Sequence, residues 1–140
     1  MTPGDLTTLT HVKEWLGIPD SNTSSDAMLS RLIGSLSASV RTSLYRYSLL
    51  SQEYVEVRDG TGTNKLVLKN WPVTSVLGVN IGSAVIPKGT TIDGTRTSGW
   101  YLTPYDGNPP GNVQVIELSG YNYPYGTQNI SVSYVAGYLI

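Results

Sequence analysis

The chain has 140 residues, no cysteine, a net charge of −1 and only 14% charged residues. Disulfides and thiolate metal sites are therefore excluded, and nothing in the charge balance resembles the basic footprint of a nucleic-acid binder. A chain of this length fits one domain that buries roughly 68% of its extended surface on folding, enough for a real core.

The start, Met1 to Thr10, is polar, and no basic end precedes an apolar run, so no signal peptide is expected. No apolar run approaches the ~18 residues of a membrane span, and the chain reads as soluble and intracellular at synthesis. Leu6 to Ile18 contains a short first helix with Leu9, Val12, Trp15 and Leu16 on one face, Thr7 or Thr8 as its cap, and Gly17 followed by Pro19 at its end. Such a helix is marginal alone and is expected to dock on a second one through Trp15 and Leu16.

The second, long helix runs from Asp26 to Tyr47. Met28, Leu29, Leu32, Ile33, Leu36, Val40, Leu44 and Tyr47 recur at steps of three and four and draw one apolar stripe. Ser24 and Ser25 offer capping oxygens, Asp26 favours the positive end of the dipole, and Arg41 and Arg46 favour the other. The opposite side carries Ser30, Gly34, Ser35, Ser37, Ala38 and Ser39, small and uncharged where a solvent face would carry Glu and Lys. Gly34 alone costs about 1 kcal/mol relative to Ala, so packing must hold this stretch helical. Either a second helix of the same chain lies close there or another subunit does. In the second case Ser30, Gly34, Ser37, Ala38 and Arg41 form the subunit interface.

After Tyr47 the period changes from 3.6 to 2, marking a switch to sheet. Gln52 to Arg58 alternates, Asp59 to Asn64 turns, and Leu66 and Leu68 mark a returning strand, which together read as a β-hairpin. Asn70, Trp71 and Pro72 break that strand. Val73 to Ile81 and Ala84 to Ile86 follow as strands, Pro87 to Gly99 as loop, and Trp100 to Leu102 as a brief strand. Pro104 to Asn112 is a turn-rich excursion, and Val113 to Leu118 and Asn129 to Val135 are the last two strands. Between them lie Tyr121, Tyr123 and Tyr125 around Pro124, an exposed-looking aromatic cluster suited to contact. The expected fold class is α+β: two N-terminal helices, one short and one long, packed on an antiparallel β-sheet or small β-sandwich.

A catalytic centre is hard to build from these residues. His11 is the only histidine, and no strand-turn-helix with a nucleophile elbow appears. Asp59, Asp93 and Asp106 each precede Gly, yet none has the spaced oxygens and closing Glu of a calcium loop. No Gly cluster sits between a strand and a helix to cradle phosphate. The chain is therefore read as no enzyme, with no cofactor and no metal. Instead, ten Tyr and three Trp with no Phe favour surfaces buried at one end and wet at the other, as at interfaces. The low charge also points to an outside that faces partners, since ~25% is typical.

The runs LTTLTHVKEWLGI, DAMLSRLIGSLSASVRTSLYR, LLSQEYVEV, LVLKNWPVTSV and NISVSYVAGY, in that order, resemble the phage head-to-tail connector (adaptor) family in its longer variant with a β-rich insertion. The resemblance implies one adaptor domain over 1–140, with a helical part at 6–48 and a β-rich part at 51–137. It further implies a structural protein of the virion neck. Copies would form a homo-oligomeric ring, commonly twelvefold, between the portal protein and a stopper or tail-completion protein. The ring would assemble after DNA packaging, DNA would pass through its lumen on ejection without being read, and no membrane would be involved. Family members usually continue past the Gly137-Tyr138 step into further helices, whereas this sequence ends at Ile140. Expected partner-contact residues are Trp100, Tyr121, Tyr123, Tyr125 and Tyr138. The alternative reading is a virion glycan-binding or other recognition module that uses Trp100, Tyr101 and the same loop tyrosines as stacking surfaces.

Overall fold

A computed structural model describes residues 4–46, 48–103 and 113–139. Its described elements are two helices, α1 (Leu9–Leu16) and α2 (Asp26–Ser43), and nine strands. The strands are β1 (Gln52–Gly60), β2 (Lys65–Val67), β3 (Val73–Ile81), β4 (Ala84–Ile86), β5 (Thr91–Ile92), β6 (Thr95–Arg96), β7 (Gly99–Thr103), β8 (Val115–Ser119) and β9 (Gly126–Ala136). The α+β expectation is thus corrected: the fold is mostly β and only mildly α+β. The helices and strands fall into two compact units, 1–50 with 138–140, and 51–137. The expected excursion Pro104 to Asn112, and Tyr47 of the stripe, lie outside the described residues.

The β unit is two antiparallel sheets around one core. One sheet has the order β1-β9-β3-β4, the other β2-β8-β7, and β5 and β6 form a separate small hairpin. Strand β9 shows why. Ile130, Val132, Tyr134 and Ala136 alternate with Ser131, Ser133 and Val135, and the first set is fully buried. From the second sheet Leu66, Trp100, Ile116 and Leu118 fill the same core, together with Leu68 and Tyr123. Two sheets that share an apolar layer are a small β-sandwich.

The hairpin expected from Gln52 to Leu68 does not form. Strand β1 pairs with β9, in register from Gln52↔Ala136, while β2 pairs with β8 through Leu66↔Ile116. The 59–64 segment carries the chain from one sheet to the other. Gly60 is required there: its N–H donates to Asn129 Oδ1 at 2.8 Å, and a Cβ would run into the Pro124 carbonyl. The Asn129 amide in turn donates to Pro124 O at 2.8 Å. Pro87 to Gly99, read as loop, contains β5 and β6.

Polar groups inside the sandwich are partnered. Glu56 points inward from β1. Its Oε1 accepts from the Tyr134 hydroxyl and, at 2.9 Å, from Lys69 N–H, while its Oε2 takes an ion pair from Arg58 at 2.9 Å. Burial, then the bond to Glu56, raises the Tyr134 phenol above its ordinary value, and burial alone does the same for Tyr123. Gln114, wholly buried, accepts from Val73 N–H through Oε1 and from Leu68 N–H through its main-chain oxygen.

Candidate assembly surface

The helical unit is built from the ends inward. Thr8 caps α1, its Oγ1 accepting from His11 N–H at 3.3 Å. Gly17 closes it at φ 69°, the left-handed value that glycine alone adopts without strain, and returns its N–H to Glu14 O. Ser25 occupies the cap position of α2, but no side-chain oxygen caps that helix. Asp26 is used elsewhere: its Oδ1 lies 2.9 Å from Lys13 Nζ, a side chain only 3% exposed, which also donates to Asp20 O. This buried lysine, unremarked in the sequence, ties α1, the connector and α2 together. Helix α2 ends at Ser43, short of the expected Tyr47, because Tyr45 turns left-handed at φ 54°.

The expected interface residues divide. Ser37 is buried and its Oγ accepts from Leu6 N–H at 3.0 Å. Arg41 donates to Ser37 O and packs its guanidinium against Gly4, and a Cβ on Gly34 would touch Asp5 Oδ1 at 3.9 Å. The chain's own segment 4–6 therefore occupies this part of the small-residue face, while Ser30 and Ala38 stay exposed.

The apolar stripe is where the surface opens. Of its seven described residues Leu29 and Ile33 are buried, whereas Met28, Leu32, Leu36, Val40 and Leu44 remain exposed. Geometry explains it. Helix α1 has 8 residues against 18 in α2, about two turns against five, and cannot cover the stripe. A groove of about 430 Å³ runs between the helices, lined by Leu6, Val12, Leu16, Leu32, Leu36 and Val40 among others. Beside it Trp15 stands 91% exposed. The relative lengths of the two helices were legible in the sequence and would have signalled this surface.

The expected contact loops divide as well. Tyr125 is 85% exposed, with its ring against Gly62, and Tyr121 is partly exposed. Tyr123 is 1% exposed, and its hydroxyl donates to Ile116 O at 3.1 Å. Trp100 is 8% exposed, with Lys88 Nζ 5.7 Å from its ring centre. Both are core residues and not free contact surfaces. Tyr101 spends its hydroxyl on the Thr90 and Thr97 carbonyls. Tyr138, in the helical unit, is partly exposed and donates its N–H to Leu49 O. His11 lies exposed on α1. Among the described residues no three His, Asp or Glu side chains gather as a metal site, and no helix is long and apolar enough to cross a membrane.

A β-sandwich joined to a helical unit with an open apolar face defines a part made for protein contact. The chain belongs to the Head completion protein family, whose sequence model matches residues 5–139. This agrees with the resemblance to phage connectors and makes the chain a structural component of the phage head and virion. Membership implies interaction with capsid or portal components. No curated protein and no solved structure gave a match.

Proposed function

We propose that this protein is a head-to-tail adaptor, one adaptor domain made of both units. Copies form a ring, commonly twelvefold in proteins of this kind, between the portal and a stopper or tail-completion protein, and DNA passes through the lumen. The observation that carries the reading is the open apolar stripe of α2 in a chain of this family. An isolated subunit gains nothing by leaving five large apolar side chains and a tryptophan in water, whereas a permanent assembly buries them. The glycan-binding alternative gains no support, since Trp100 and Tyr123 are buried and the Tyr101 hydroxyl is committed.

Deleting the gene from its phage and imaging the particles tests the proposal. DNA-filled or leaking heads beside separate, complete tails are expected. Intact tailed particles would reject the adaptor role.

A further inference from the structure

The β unit carries a second open apolar face. On the outer side of the β1-β9-β3-β4 sheet, Val55 and Val57 of β1 stand opposite Ser133 and Ser131 of β9, and these stand opposite Gly78 and Asn80 of β3. Val85 of β4 stands opposite Asn80. Val55, Val57, Leu77 and Val85 are all exposed, and the residues between them are small or uncharged. Such a surface is shallow in the middle, where serines and a glycine lie, and raised by valines and a leucine at its flanks.

We infer that in the assembly the apolar face of the helical unit is covered by this outer sheet face of the neighbouring copy. The inference rests on the ring reading and names the surfaces that build it. Leu16, Met28, Leu32, Leu36, Val40 and Leu44 each keep between 42 and 63% of their surface in water. With Trp15 they offer about 800 Å² of apolar area, what one partner contributes to a standard specific interface. The centre of each face lacks charge, and Glu53, which shares the outer side of β1 with Val55 and Val57, lies at the margin, so joining the two centres desolvates no ion. Shape agrees too: a helix ridge of leucines fits a sheet whose central residues are small. Pairing the helix face with itself would leave the sheet face bare. A contact between two different faces covers both, and it is the head-to-tail kind that closes into a ring when the rotation per copy permits.

The absence of cysteine makes the test direct. Leu36→Cys and Val57→Cys, each at an exposed position, are purified separately, mixed, concentrated and oxidised, and circular dichroism checks that each stays folded. Mixed dimers should dominate over both symmetric dimers, and a chain carrying both substitutions should give a ladder of linked multimers. Leu36→Cys mixed with Val67→Cys, which is exposed on the other sheet, should give no link. Dominant Leu36→Cys homodimers, a link confined within single doubly substituted chains, or no mixed link at all would each overturn the inference. Rings seen by electron microscopy without the mixed link would overturn it while leaving the adaptor reading intact. The gene-deletion phenotype decides that reading separately.

Discussion

The two units of this chain are stabilised in opposite ways. In the β unit Val79, Ile116, Val132 and Tyr134 are completely buried in a layer shared by two sheets. In the helical unit the buried apolar set among the described residues is Leu29 and Ile33, and the remaining buried positions are polar: Asp5, Lys13, Ser37 and Ser48. One unit is closed by its own core. The other is held by polar struts and keeps its apolar area outside. A head component that must fold before it assembles needs the first kind of unit, and one that must then bind needs the second.

The sharpest way to break this contrast is to truncate one apolar residue in each unit. Ile116→Ala should cost about 3 kcal/mol, because it opens a cavity in a closed core. Leu36→Ala, at a position 63% exposed, should change the isolated subunit by less than about 0.5 kcal/mol. Urea unfolding of the two variants measures the difference, and equal losses would end the comparison. Next in size is the strut. Asp26→Ala leaves the buried Lys13 ammonium with the Asp20 carbonyl but no carboxylate, and should destabilise the helical unit by about 2 kcal/mol. Hydrogen exchange should speed up across α1 and α2 while β8 and β9 keep their protection.

A third contrast appears only in alkali. The folded-state values of Tyr123 and Tyr134 are raised above the ordinary 10.0. Their protonated forms therefore contribute stability that is complete below pH 10 and is lost as the pH rises beyond it, where the unfolded chain ionises first. The urea midpoint of the β unit should fall above pH 10, and Tyr123→Phe should reduce that fall. The smallest effect is at Gly34. A methyl there meets only Asp5 Oδ1 at ordinary contact distance, so Gly34→Ala should stabilise α2 by about 0.5–1 kcal/mol, read as a higher melting temperature.

Much of this was legible in the residues, and the failures have a common cause. Thr8 and Gly17 marked both ends of α1 because capping is chemistry within one turn. The alternation of Ile130 to Ala136 announced β9 because the side-chain period of a strand is local. The partner of a strand is not. Nothing between Gln52 and Leu68 says that β1 will find β9 some seventy residues on and β2 will find β8. The α2 stripe was visible as a stripe, but periodicity defines a face without saying what covers it. Tyr123 resembled its neighbours Tyr121 and Tyr125 until the Ile116 carbonyl was seen to accept its hydroxyl. The balance between helix and sheet was misjudged because α2 stops at Ser43, because β1, β7 and β9 run beyond the stretches whose alternation could be read, and because β5 and β6, at two residues each, are too short to show a pattern.

The inward-facing Glu56 and Arg58 have a consequence for how copies can meet. Strand β1 is the margin of its sheet, and a bare margin is a template on which strands of other molecules can grow into fibres. A chain joining there would extend the sandwich over the Glu56–Arg58 pair, whose arginine side chain is still 26% open to water, and would have to strip that water away. The pair thus discourages growth by strand addition. In the proposed assembly the neighbouring copy meets the sheet's face instead, where the number of copies can be finite.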